Sequence, residues 1–116
     1  MQLKLSSPKI WLATQAVDFR LSIDGLCQMI ELKFNVDLKE GLFIFYNRTK
    51  KRIKILTWHK NGYVLVYKRI EQGCFSIRTS EEGLMTVDER QLSWLLAGLD
   101  WVSMSAWKEL EFDDYF

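Results

Sequence analysis

The stretch Gly41–Ile77, GLFIFYNRTKKRIKILTWHKNGYVLVYKRIEQGCFSI, limits the possible folds more than any other part of the chain. Leu42–Tyr46, Ile53–Trp58 and Tyr63–Ile70 are rich in β-branched and aromatic residues and are separated by turn-forming breaks, the pattern of a β-meander. Asn61-Gly62 lies between the second and third runs, and both residue types tolerate the positive φ angles of a tight hairpin. A two-residue loop at Asn61-Gly62 and a four-residue loop at His59–Gly62 both set even-numbered residues opposite odd ones. Side chains alternate between the faces of a strand. One face then carries Ile53, Ile55, Thr57, Val64, Val66 and Ile70, with Lys68 near its end. The other carries Arg52, Lys54, Leu56, Trp58, Lys60, Tyr63, Leu65, Tyr67 and Arg69. The first face reads as core. The second mixes cations with flat rings, so it can hold phosphates and stack on bases. It can equally be a solvated face on which Lys and Arg stems cover apolar neighbours.

Charge is distributed unevenly along the chain. Arg48, Lys50, Lys51, Arg52, Lys54, Lys60, Lys68 and Arg69 are half of the 16 basic residues, and no acidic residue lies between Gly41 and Ile70. The formal net charge of +1 conceals this block, because the other eight basic residues share the rest of the chain with all 15 acidic ones. Such asymmetry points to a polyanionic partner.

Outside the meander, Ile10–Ala13 follows Pro8 and reads as a short strand. Phe19, Ile23, Leu26, Ile30 and Phe34 recur at helical spacing, which predicts a helix over Asp18–Phe34 with Asp18 as N-cap. Arg20 and Asp24 are four apart and fit a surface pair on that helix. Cys74–Ile77 is expected to be a fourth strand of the meander after the turn at Gln72-Gly73. Thr86 and Glu89 fit a capping box ahead of a helix over Val87–Ala97, which Gly98 closes. The fold class is therefore α+β: a mainly antiparallel sheet of four or five strands with two helices packed on it. Residues 1–102 are expected to form one domain. Residues 103–116, in which Glu109, Glu111, Asp113 and Asp114 are interleaved with aromatic residues, are expected to be a mobile tail.

Composition narrows the function classes. No run is long enough to span a membrane, and MQLKLSSPK lacks the apolar centre of a signal peptide, so a cytoplasmic location is expected. Cys27 and Cys74 are far apart and read as small buried side chains rather than as a disulfide or metal site. His59 is the lone histidine, and it lies beside a turn with no metal ligand at a suitable spacing. No Gly-rich phosphate loop occurs. Asp18, Asp24, Glu71 and Asp100 could hold magnesium only if the fold gathered them, and their spacing does not select them. No catalytic residue, cofactor or small-molecule substrate is expected.

Three blocks carry a family resemblance: Asp18–Leu26 (DFRLSIDGL); Arg52–Trp58 (RIKILTW) with Gly62 and Lys68–Phe75 (KRIEQGCF); and Gln91–Trp101 (QLSWLLAGLDW). In this order and spacing the chain resembles the short TnpB accessory proteins of bacterial insertion sequences of the type numbered sixty-six, over roughly Ile10 to Trp101. Leu21 departs from a usually basic position, His59 from a usual Asp, and Arg78 from a common Pro. The resemblance implies a helper in DNA transposition that leaves the chemistry to a separate transposase, and it marks Asp18, Arg20, Asp24, Gly25, Asp100 and Trp101 as motif positions. With the basic block, it makes Arg48, Lys50, Lys51, Arg52, Lys54, Trp58, Lys60, Tyr67, Lys68 and Arg69 the candidate DNA-binding residues. The other expected role is docking onto the transposase through an exposed edge strand, the aromatic residues or the acidic tail.

Overall fold

In a computed structural model, residues 9–101 are described. Five strands form one sheet: β1 (Lys9–Ala13), β2 (Gly41–Tyr46), β3 (Arg52–His59), β4 (Gly62–Arg69) and β5 (Leu84–Val87), in the order β4-β3-β2-β1-β5. Two helices are α1 (Ile23–Met29), extended by a π-helical turn over Ile30–Phe34, and α2 (Glu89–Leu96). The α+β class is as expected. β1 runs parallel to β2, and the other three pairings are antiparallel. Parallel neighbours need a crossover rather than a hairpin, and the segment containing α1 supplies it.

The three runs of the meander form β2, β3 and β4. His59 pairs with Gly62 and Trp58 with Tyr63, which is the register of the four-residue loop closed by one further pair. The turn residues are Lys60 and Asn61, and Lys60 takes the left-handed φ of 56°. Between β2 and β3, Asn47 organises the loop: its Oδ1 accepts from the backbone N–H groups of Lys51 (3.1 Å) and Arg52 (3.0 Å).

The sheet buries both faces. On one, Ile10, Leu12, Ile44, Tyr46, Ile53 and Ile55 pack with Phe75, Ile77, Leu95 and Trp101 beneath α2. On the other, Ala13, Phe43, Phe45 and Leu56 pack with Leu26, Ile30 and Leu38 beneath α1. Every residue of β2 is buried, as expected of an unbroken apolar run in a central strand covered on both sides. Each of the large apolar side chains buried here contributes about 1.5–3 kcal/mol.

Several local expectations are corrected. α1 begins after Ser22, not Asp18. Asp18 instead accepts from the Arg20 backbone N–H at 2.9 Å and from its guanidinium, so the pair Arg20–Asp24 gives way to Asp18–Arg20. Cys74–Ile77 is not a strand. It runs as extended chain against the β2–β3 loop, with the Phe75 N–H on the Lys50 carbonyl at 2.7 Å. The remaining strand is β5, and it takes in Thr86, the expected helix cap. The capping box is two residues further on: Asp88 accepts from the Gln91 N–H at 2.7 Å while Gln91 accepts from the Asp88 N–H at 2.9 Å. Gly98, at φ 76°, closes α2 as predicted. Of the two free cysteines, Cys27 is half-buried and Cys74 is exposed rather than buried. Pro8 and the acidic-aromatic tail lie outside the described residues.

Candidate nucleic-acid interface

The face expected to be an open basic surface is largely roofed by α1 and the loop before it, and this divides the candidate residues into three groups. The first group is engaged inside the fold. Lys54 is buried at 9% exposure. Its ammonium donates to the carbonyls of Phe19 and Leu21, both at 2.8 Å, and lies 4.9 Å from the Phe19 ring centre. Lys54 is thus a structural staple between β3 and the loop leading to α1, not a free phosphate ligand. Lys50 donates to the Ile77 carbonyl at 2.7 Å and Lys68 to the Leu96 carbonyl at 2.5 Å, both towards the α2 side.

The second group lies at the far end of the β3–β4 hairpin. Lys60 is exposed there, about 25 Å from the β2–β3 loop at the usual rise of a strand. Trp58 is half-buried, with the Tyr63 ring against it at 4.9 Å and the Lys39 ammonium 4.5 Å from its ring centre. Its π-surface is engaged within the chain.

The third group forms a patch where the β2–β3 loop meets the end of β4. Arg48, Lys51, Arg52, Tyr67 and Arg69 are all exposed. Arg52 stands directly opposite Arg69 across the β3–β4 ladder. Arg69 reaches Glu71 at 3.0 Å, an exposed pair of the kind that contributes little. Arg48, Lys51 and Arg52 have no carboxylate within ion-pair reach among the described residues.

Two residues outside the expected DNA-binding set, one of them the motif position Arg20, lie on the loop that meets this patch at Tyr67. Phe19 meets Tyr67 edge-on at 6.2 Å. Arg20, next in the chain, holds its guanidinium outward with 92% of its side chain exposed while Asp18 grips it at 2.7 Å. The available sequence signal was the DFR block, which the helical reading had placed on the surface of α1. The hydrogen bond from the Arg20 side chain, aided by its backbone N–H, holds the Asp18 carboxyl at about 2, below the usual range. The sign follows: a depressed carboxyl pairs fully at neutral pH, and the pairing is lost as pH falls through about 2. Titrating the Asp18 carboxyl carbon by NMR is expected to give that midpoint, and a midpoint near 4 would show the pair open in solution.

The motif positions do not converge on one site. Asp18, Arg20, Asp24 and Gly25 lie on the α1 side, where a Cβ on Gly25 would sit 2.8 Å from Leu21 Cδ2. Asp100 and Trp101 lie on the α2 side. There Asp100 accepts from the Ser76 hydroxyl at 3.1 Å, and the Trp101 indole N–H donates to the Ser76 carbonyl. Among the described residues no three His, Cys, Asp or Glu side chains are placed to hold a metal ion, and no helix is long and apolar enough to cross a membrane.

Comparison with known proteins gives two kinds of match. The family described as "IS66 Orf2 like protein" matches residues 8–106. Two proteins of Sinorhizobium fredii (strain NBRC 101917 / NGR234) are similar along most of their length. The uncharacterized protein y4hO is 33% identical over 95 residues, covering 80% of this chain and 82% of the relative. The uncharacterized protein y4jC is 32% identical over 94 residues, covering 80% of each. No solved structure matches the chain.

Proposed function

The chain belongs to the IS66 Orf2-like family of insertion-sequence accessory proteins, and on that premise we propose that it is a non-catalytic transposition helper that grips the nucleic-acid backbone with Arg48, Lys51, Arg52 and Arg69. The observation that carries this reading is the Arg52–Arg69 pair. Like charges directly opposite each other across a ladder are destabilising. Among the described residues a single exposed carboxylate, Glu71, offsets the pair, with two further exposed cations, Arg48 and Lys51, beside it. A polyanion relieves that repulsion and releases its counterions on binding. Arg and backbone phosphate also match in geometry, because the guanidinium fork can take two oxygens at once.

Binding to an element-end DNA fragment, followed by fluorescence anisotropy at increasing salt, tests the reading. Four phosphate contacts give a slope of log affinity against log salt of about −3.6 on duplex or about −2.8 on a single strand. Absent or salt-insensitive binding would refute it.

A second reading, docking onto the transposase of the same element, is favoured by β4. This eight-residue strand is the longer of the two edge strands, and its outer edge has no strand partner among the described residues, so it can accept a strand from another protein. Co-purification with the transposase in the absence of nucleic acid, abolished by a proline within β4, would favour docking over backbone binding.

A further inference from the structure

We infer that the polyanion held at this patch is single-stranded and that Tyr67 stacks on one of its unpaired bases, an inference that rests on the backbone-binding reading above. Four of the half-buried aromatic rings among the described residues lie beneath lysines of the same chain. Lys9 lies over Trp11 at 5.6 Å, Lys33 over Phe34 at 5.8 Å, Lys39 over Trp58 at 4.5 Å and Lys54 over Phe19 at 4.9 Å. Tyr67 differs from these four in its exposure. It is the exposed aromatic side chain among the described residues, at 49%, and none of these lysine caps falls on it. Its recorded ring contact is the edge-on packing of Phe19, with the planes 60° apart.

Its surroundings suit a nucleotide. Arg69 is two residues along the same strand and so on the same face, and Arg52 is opposite Arg69. Arg20 projects from the loop whose Phe19 steadies the ring. Two arginines therefore lie along the sheet from a half-open ring, and a third follows directly after the residue packed on its edge. Phosphates flanking a base can meet the arginines while the base lies on the phenol. A duplex keeps its bases stacked on one another and offers such a ring only sugar and phosphate, whereas unpaired bases stack on exposed aromatics whatever their identity. The same chemistry is available from single-stranded DNA and from RNA.

The test uses the full chain with fluorescein-labelled oligodeoxythymidine and oligouridine of about 12 nucleotides, within the site sizes usual for such surfaces, and a duplex of equal length. The single strand is expected to bind at least tenfold more tightly than the duplex near 0.15 M salt. Tyr67→Ala should weaken single-strand binding by about 5- to 150-fold, the range for losing one stacked base, and leave duplex binding unchanged. Tyr67→Phe, which keeps the ring and the packing on Phe19, should stay within about twofold of the wild type. Tighter binding of the deoxy strand identifies DNA as the source of the base and tighter binding of the ribo strand identifies RNA; both support stacking. Equal or tighter duplex binding, or a loss shared equally by Tyr67→Phe and Tyr67→Ala, would overturn the inference. If duplex binding then keeps its salt slope, the backbone-binding reading stands alone; if no nucleic acid binds, both fall.

Discussion

Replacing Lys54 with Met is expected to cost about 2–3 kcal/mol of stability while leaving the salt dependence of nucleic-acid binding intact. The Met stem fills most of the space beneath Phe19, so the loss isolates the ammonium. That ammonium satisfies two backbone carbonyls, those of Phe19 and Leu21, and hydrogen bonds from a charged donor are worth about 1.5–3 kcal/mol each before the cost of desolvating the charge. In a domain of this size the melting temperature should fall by roughly 10–20 °C, measurable by circular dichroism. The loop carrying Asp18–Leu21 should loosen first, with faster amide exchange there than in β2. A neutral or stabilising Lys54→Met would show that desolvating the charge outweighs its bonds, and that packing alone holds the loop.

Trp101→Ala should cost more, about 3–5 kcal/mol, the usual range for truncating a fully buried aromatic side chain. Trp101 is 3% exposed, packs with Phe75, Ile77 and Leu95, and gives its indole N–H to the Ser76 carbonyl. Domain stabilities are commonly about 5–15 kcal/mol, so the loss is a large share of the total. Urea denaturation measures the loss, and Trp101→Phe should recover most of the packing but not the hydrogen bond. The closing Asp100-Trp101 motif is then a clamp that holds the Phe75–Ile77 segment under α2. A loss below about 1 kcal/mol would contradict that role.

What the sequence disclosed followed the physics of each segment. The meander was legible because its apolar runs are separated by turn-forming breaks, Asn61-Gly62 marks the hairpin and its register is set by the hydrophobic pattern. The roof over the second face was less visible. Leu42–Tyr46 contains no polar side chain apart from the Tyr46 hydroxyl, and a run without alternation already signals burial on both faces. Read together with Lys54, it would have shown that the neighbouring strand is also covered. A buried lysine cannot be told from an exposed one by spacing alone, because its partners here are backbone carbonyls about 35 residues away in the chain. β5 is not legible in the sequence because a four-residue edge strand, LMTV, carries little pattern and is fixed by pairing with β1. Asp18 was read as a cap because a carboxylate ahead of an apolar periodicity usually is one. The tight Asp18–Arg20 contact, which satisfies the Arg20 N–H before the helix begins, displaced the start to Ser22.

The candidate surface contracted in the same way. The ten residues expected to bind lie at two ends of the sheet and on both faces, and several are already bonded within the fold. What remains concentrated is the end where β3 and β4 carry Arg52 against Arg69, flanked by Arg48 and Lys51 and joined by Arg20 from the α1 side.

The account is tested most directly by the slope of log affinity against log salt in three proteins: the wild type, Arg52→Gln/Arg69→Gln, and Lys60→Gln at the opposite end of the hairpin. The double variant is expected to flatten the slope by about 1.4–1.8, two phosphate contacts' worth, without loss of thermal stability because it removes a like-charge pair. Lys60→Gln should leave the slope unchanged. Equal slopes in the wild type and the double variant would contradict the account.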